Sequence, residues 1–277
     1  MSGAVRESDT AVLDARDVCL VRGGRPLLDQ ITMSVSAGEL WAVLGPNGAG
    51  KSTLLRLLAT YAHPTRGQVD VLGKRLGRVD VFALRPLISL VSAHHPVRPA
   101  RTVRDLVLTG ATGTLDLAAR WAPTPSELAR AEMIIELMGL AGLAGSRWSL
   151  LSQGERSRAL IARGLMGSPR LMLLDEPAAG LDVAGREQLL ASLTELRHRE
   201  PWLAVILVTH HLEELPAATS HALLLREGRQ IAAGPAADVL TSDLVTACFG
   251  HPVSVIRHAG RWTCTAARRH DREGFES

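Results

Sequence analysis

The sequence predicts an α/β fold: a mainly parallel sheet, an antiparallel β subdomain near its start and an inserted α-helical subdomain. Three observations carry this. Wholly apolar runs of strand length, Leu40–Leu44, Leu171–Leu174 and Leu203–Val208, alternate with segments of helical pattern, as buried parallel strands do. Ahead of them, Ile31, Met33 and Val35 alternate with polar neighbours, the pattern of a half-buried antiparallel strand. In the middle of the chain, prolines at 96, 99, 123 and 125 punctuate helical segments.

Taken in order, Val12 to Leu44 reads as short strands with turns at Gly23-Gly24 and Ala37-Gly38. Leu54 to Ala59 has helix-forming composition, broken at His63-Pro64-Thr65-Arg66-Gly67, and Gln68–Leu72 and Leu87–Val91 are further strands. The clearest helix of the insertion starts near Ser126, carries Glu127 in its first turn and stops at Gly139. A second follows Leu151-Ser152-Gln153-Gly154-Glu155, carries Leu160, Ile161, Leu165 and Met166 and closes at Gly167-Ser168-Pro169, and a third runs from about Val183 to Arg197. The remainder reads as hairpins: Leu223–Leu225 before the Glu227-Gly228 turn, then Val253–Ile256 facing Trp262–Thr265. Residues 1–10 and 266–277 are expected to be flexible tails around one domain at 11–265, with the helical subdomain at about 96–165.

The composition narrows the function. At 277 residues, 46% of them hydrophobic, the chain can bury a sizeable core, yet no apolar run is long enough to cross a bilayer. The first residues carry no apolar stretch behind a basic cluster, so a secretory signal is not expected. Cys19, Cys248 and Cys264 are three and widely spaced, which fits a reducing compartment better than a disulfide framework or zinc site. A net charge of +3 with scattered arginines gives no nucleic-acid stripe. Lysine occurs only at positions 51 and 74, so a lysine kept in a glycine loop points to a crowded phosphate pocket.

That loop is Gly45-Pro46-Asn47-Gly48-Ala49-Gly50-Lys51-Ser52-Thr53, the complete G-x-x-x-x-G-K-[ST] pattern between a strand and a helix. Its glycines let successive N–H groups point into one concavity above the positive end of the following helix, so an anion is the expected guest. Lys51 would reach the β- and γ-phosphates of ATP and the Ser52 hydroxyl would sit on Mg²⁺, as in P-loop NTPases. Asp175 and Glu176 close a buried strand, at the sheet edge where ligands bind in open α/β sheets. Asp175 suits the Mg²⁺ shell, and Glu176, which an extended chain would point the other way, is the candidate general base.

Together these segments resemble the nucleotide-binding subunit of an ABC transporter, over about Leu13 to Arg257. The carriers are the P-loop, the signature-like Leu151-Ser152-Gln153-Gly154-Glu155, the Leu173-Leu174-Asp175-Glu176-Pro177 segment, and Ala179-Gly180-Leu181-Asp182, which is similar to a D-loop. The resemblance implies that His210 is the switch histidine that bonds the γ-phosphate. It also implies that Ser152 and Gly154 close over ATP held by a second ATPase subunit in a dimer, expected to be a homodimer, with Gln153 and Asp182 as further nucleotide-binding residues. A separate transmembrane permease is the implied partner, placing the chain in the cytoplasm at the inner face of the membrane.

Two departures stand out. Where the family carries an aromatic on adenine, the chain has Leu20-Val21-Arg22-Gly23-Gly24, leaving Arg22 to stack. Where a glutamine is expected after Leu90-Val91-Ser92-Ala93, it has His94-His95, with no Cys or Asp cluster beside them to suggest a metal site. The rival reading, a soluble ABC-type ATPase of DNA maintenance or protein assembly, would call for a long heptad insertion or a second P-loop, and neither occurs.

Overall fold

A computed structural model describes residues 11–92, 95–114, 116–117 and 120–266. The tail at 1–10, nearly all of the tail at 266–277, and His94 lie outside the described residues.

The chain opens with β1 (Leu13–Arg22) and β2 (Arg25–Val35), paired antiparallel across the Gly23-Gly24 turn. They are longer than the short strands expected; β1 absorbs register shifts near Val18 and Leu20 that let it run on as one strand. Next come β3 (Leu40–Leu44), α1 (Lys51–Leu58), β4 (Arg66–Val71), β5 (Lys74–Arg75), the single-turn α2 (Val81–Leu84) and β6 (Ile88–Ser92). The helical stretch holds α3 (Val103–Thr112), α4 (Pro125–Leu137) and α5 (Gln153–Met166). β7 (Leu171–Asp175), α6 (Val183–Arg199), β8 (Ala204–Thr209), β9 (His221–Arg226) and β10 (Arg229–Pro235) rebuild the sheet. Single-turn α7 (Ala236–Val239), α8 (Ser242–Phe249) and the hairpin β11 (Val253–His258) and β12 (Arg261–Ala266) finish the chain.

Ten strands form one sheet in the order β5-β4-β1-β2-β10-β9-β3-β8-β7-β6. The antiparallel layer is therefore continuous with the parallel part, but the join is a single residue pair, Arg229 with Asp29. At the other end, β9, β3, β8, β7 and β6 run parallel. β3 and β8 are buried at every residue, which is why they read as unbroken apolar runs. One core lies on each face: Leu54, Leu57 and Leu58 of α1 with Ile31 and Val43 on one side, and Ile135, Leu160, Leu189 and Leu207 on the other.

The helical stretch is folded by local signals. Thr124 caps α4 and Glu127 bonds back to the Thr124 N–H, with Pro125 at the first helical position, so the helix begins one residue before Ser126. Thr102 caps α3 through the Asp105 N–H. α3 and α5 touch through Gly110: a Cβ there would stand 2.0 Å from the Arg163 carbonyl oxygen and 2.8 Å from Met166 Cβ. A Gly110→Ala substitution is therefore expected to cost about 1–3 kcal/mol, read as a lower urea midpoint. Gly142→Ala, whose Cβ would meet nothing within 4 Å, is the control, expected to stay within ~0.5 kcal/mol of the parent.

Candidate functional site

Strand register builds the site. Leu44 of β3 pairs with Thr209 of β8, and Asp175 of β7 pairs with Val208 of β8. The residues that follow three adjacent strands, Gly45, Glu176 and His210, thus emerge together at one carboxyl edge. Four strands separate the antiparallel layer from β7 in sheet order, yet that layer also reaches the edge, through the loop that starts β2.

The glycine loop wraps the start of α1. Gly50 takes the N-cap position with φ 101° and no side chain to bond the helix N–H groups, so those donors face the hollow above. Lys51 is only 5% exposed, and its Nζ donates to the carbonyls of Gly45 (2.8 Å) and Pro46 (3.1 Å). Burial pulls its ammonium below its ordinary pKa, against the opposing pull of Glu176 and Asp175. The hollow, about 420 Å³, is walled by Asn47 to Thr53 and Glu176, and also by Pro26, Leu27, Glu227 and Gly228.

Sequence reasoning missed these last four wall residues. They arrive through sheet order: the Gly228 N–H donates to the Ala49 carbonyl (2.9 Å) and the Asp29 N–H to the Gly228 carbonyl (2.8 Å). No local pattern announces such a contact. Arg22, by contrast, is exposed at the end of β1 and is not among the residues walling the hollow.

Ser52 Oγ donates to Asp175 Oδ1 at 3.3 Å, joining the loop to the end of β7. Glu176 differs from the extended geometry expected of it. β7 ends at Asp175, and Glu176 turns into the left-handed region at φ 48° while its N–H still bonds the Val208 carbonyl (3.0 Å). Such a conformation costs a non-glycine residue roughly 1–3 kcal/mol and recurs where a side chain must be aimed. Here it brings Glu176 Oε1 to 3.1 Å from His210 Nδ1. Both side chains are about one-third exposed, at 34% and 30%.

The signature-like segment has work in its own chain. Ser152 caps α5, accepting the Glu155 N–H (3.3 Å), while Glu155 accepts the Ser152 N–H (2.7 Å). Asp182 caps α6 through the Gly185 N–H (2.7 Å). Gly154 and Gly185 let the two helix starts meet: a Cβ on Gly154 would sit 3.3 Å from Gly185 Cα. Ser152, Gln153 and Asp182 are all exposed, and none walls the glycine-loop hollow.

A profile of the ABC transporter family matches residues 28–179, more than half of the chain. The chain belongs to the ABC transporter family. Among its relatives, an uncharacterized ABC transporter ATP-binding protein, YlmA of Bacillus subtilis, is 38% identical over 261 residues, covering 92% of this chain and 97% of the relative. The hemin import ATP-binding protein HmuV of Rhodococcus jostii is 35% identical, covering 91% and 85%. Of solved structures, cbiO1 from Clostridium perfringens, part of the ABC transporter complex cbiONQ, superposes with a TM-score of 0.74 at 26% identity over 86% of this chain and 93% of that one. A dimeric post-hydrolysis cassette, MJ0796 bound to ADP and Pi, shares the fold with a TM-score of 0.67 at 23% identity, over 80% and 98%. As a member of this ABC transporter family the chain is an ATP hydrolase, the motor subunit of a transport system.

Beside the edge, His95 helps line a second cavity with Gln153, Arg156, Ser157 and Asp175. Burial, reinforced by the Arg163 guanidinium, pushes its imidazole down from 6.5 to about 4. The folded protein therefore gives up this proton more readily than the unfolded chain, so unfolding takes up a proton between pH 6.5 and 4 and stability falls across that window. His95→Gln is expected to shrink the loss of urea midpoint between pH 7 and pH 5. A loss equal to the parent's would show that His95 does not carry it.

Lys51→Ala removes the buried cation from the loop without touching either core. ATP binding, read with a fluorescent ATP analogue, is expected to vanish while the circular-dichroism spectrum stays native. Retained nucleotide affinity would remove Lys51 from the site.

Proposed function

We propose that the chain binds Mg²⁺-ATP on its glycine loop and closes head to tail on a second ATPase subunit, driving a membrane permease of an import system. The observation that carries this is a division of the site. The glycine-loop hollow is walled by the loop, Glu176 and the Glu227 turn, whereas Ser152 and its helix start look outward from the same edge. A second copy turned about a two-fold axis would set each Ser152 over the other's hollow.

The residues suit the chemistry. Ser52 Oγ and Asp175 Oδ1, 3.3 Å apart, are hard oxygens of the kind Mg²⁺ takes alongside phosphate and water. When bound, the ion would neutralise phosphate charge. Lys51 and the loop N–H groups hold the β- and γ-phosphates. Glu176 accepts a proton from the attacking water, and His210, within hydrogen-bond reach of Glu176, orients that carboxylate beside the γ-phosphate. The outward Ser152 hydroxyl and the N–H groups of α5 supply the remaining donors from the partner subunit.

Two further observations support the transport setting. A groove beside the edge is lined by Arg56, Tyr61, Leu90 and Ser92 together with Asp175 and Glu176. Tyr61 and Phe82 are 54% and 72% exposed, and the Arg85 guanidinium lies over both rings at 4.9 and 5.1 Å. Such an aromatic and cationic rim suits a helical segment of another protein. Among the described residues no helix is long and apolar enough to cross a membrane. The import direction rests on relatives named for import of hemin and of methionine.

Glu176→Gln keeps the volume and removes the base. It is expected to bind ATP and elute as a dimer in size-exclusion chromatography with ATP, and as a monomer without it. Adding Ser152→Arg is expected to restore the monomer. A Glu176→Gln protein that holds ATP and stays monomeric would count against the shared site.

A further inference from the structure

The β11–β12 hairpin pairs with no strand of the large sheet. β11 is tied to α8, where the Val253 and Val255 N–H groups donate to Thr246 Oγ1 and Ser242 Oγ (both 3.0 Å), and β12 is tied to α6 and to the loop after β8. Trp262 is 5% exposed and lies in the same buried cluster as Leu189 of α6 and Leu212, which follows His210 and His211. Beside it, Arg261 makes three hydrogen bonds. Its Nη1 and Nη2 donate to Glu187 Oε2 (2.7 Å) and Oε1 (3.2 Å), a forked pair, and Nη2 also donates to the Glu213 carbonyl (2.8 Å). The Cys264 N–H donates to Glu213 Oε1 at 3.0 Å, so β12 grips Glu213 by both its backbone and its carboxylate. The arginine depresses the Glu187 carboxyl pKa, mainly through its hydrogen bond, and Arg186 adds to the shift.

The two gripped points flank the chemistry. Glu187 sits five residues past the Asp182 cap of α6. Glu213 lies in the 3₁₀ turn Leu212–Glu214, and that turn is bound back to the end of β8: the Glu214 N–H reaches the His211 carbonyl (3.3 Å), the His211 N–H reaches Thr209 Oγ1 (3.1 Å), and Thr209 Oγ1 bonds the buried Glu214 carboxylate. His210 is enclosed in this loop, between Thr209 and the turn. Among the described residues its side chain bonds Glu176, and its ring lies 4.1 Å from that of His211 in the same loop, so its place depends on how the loop is held.

We infer that Arg261 is a positioning residue for ATP hydrolysis. By tying the turn after His210 to the start of α6, it holds the imidazole at hydrogen-bond distance from Glu176 and fixes that loop relative to the Asp182 end of α6. The inference rests on His210 acting in turnover as set out above. The guanidinium fork matters as well as the charge, because it spans a carboxylate on one element and a carbonyl on another, which an ammonium does less well.

Steady-state ATPase kinetics on the full chain test it. Arg261→Met and Glu187→Gln are each expected to lower kcat by roughly fivefold to tenfold, the scale of residues that act at one remove, with KM for ATP changed less than about twofold. The double variant is expected to be no slower than either single one, and Arg261→Lys to recover only part of the loss. In a His210→Ala background, Arg261→Met is expected to add nothing. A merely structural role would instead lower the thermal midpoint and leave the kcat of the folded fraction unchanged. Parent-like kcat in Glu187→Gln, which alters only one carboxylate on an exposed helix face and decides the matter if Arg261→Met fails to fold, would overturn the inference. So would an Arg261→Met effect that persists undiminished in His210→Ala. If His210→Ala itself turns over like the parent, the role of His210 falls and this inference with it; if His210→Ala is slow while Arg261→Met and Glu187→Gln are not, only this inference falls.

Discussion

The parallel pairing of β3, β8 and β7 is the constraint on which the rest depends. Their register puts Leu44 beside Thr209 and Asp175 beside Val208, so three chain segments far apart in sequence leave the sheet within one residue of the same level. Slipping any one strand along its neighbour would carry Gly45, Glu176 or His210 a residue's rise, ~3.3 Å, out of place. That displacement exceeds the tolerance of the hydrogen bond between Glu176 and His210. The register is held by burial. Every residue of β3 and β8 is inside, and a slip would trade packed apolar side chains for polar ones across both cores.

Much of this was legible because the signals are local. The glycine loop, the two carboxylates at the end of an apolar run and the capped helix after Thr124 each depend on residues within a few positions of one another. α3 and α8 carried readable starts too, Thr102 with Asp105 and Thr241 with Asp243, but their short length and β-branched content blurred the helical period. The left-handed turn of Glu176 was not legible. Alternation along an extended chain is the default, and it is the φ of 48° at Glu176 that ends the strand, although its N–H still bonds the Val208 carbonyl. The walls supplied by Pro26, Leu27 and Glu227 were hidden for a different reason: they come next to the loop by sheet order, which no spacing in the sequence encodes.

The join between the antiparallel layer and the parallel sheet is narrow, one strand pair between Arg229 and Asp29, reinforced by the Asp29–Arg229 ion pair at 2.9 Å and by a bond from the Thr32 N–H to Gln230 Oε1 at 2.8 Å. Few ladder bonds cross it, so what keeps the layer seated is the core beneath, where Leu28 and Ile31 pack with α1. The glycine-loop hollow straddles this seam, with Leu27 on one side and the glycine loop on the other. Ligand bound there would touch both parts of the sheet at once.

The cap on α5 has a consequence that reaches beyond its helix. A hydroxyl oxygen offers two lone pairs and one proton. In Ser152 one lone pair is committed to the Glu155 N–H, which turns the oxygen toward its own backbone and leaves the proton as the part free to meet an incoming phosphate. In the proposed dimer, folding of the single chain and recognition between chains would both rest on one atom. A lineage that drifts at position 152 cannot trade one property against the other by small steps, since alanine forfeits both and only another short hydroxyl or amide preserves the cap while still offering a donor.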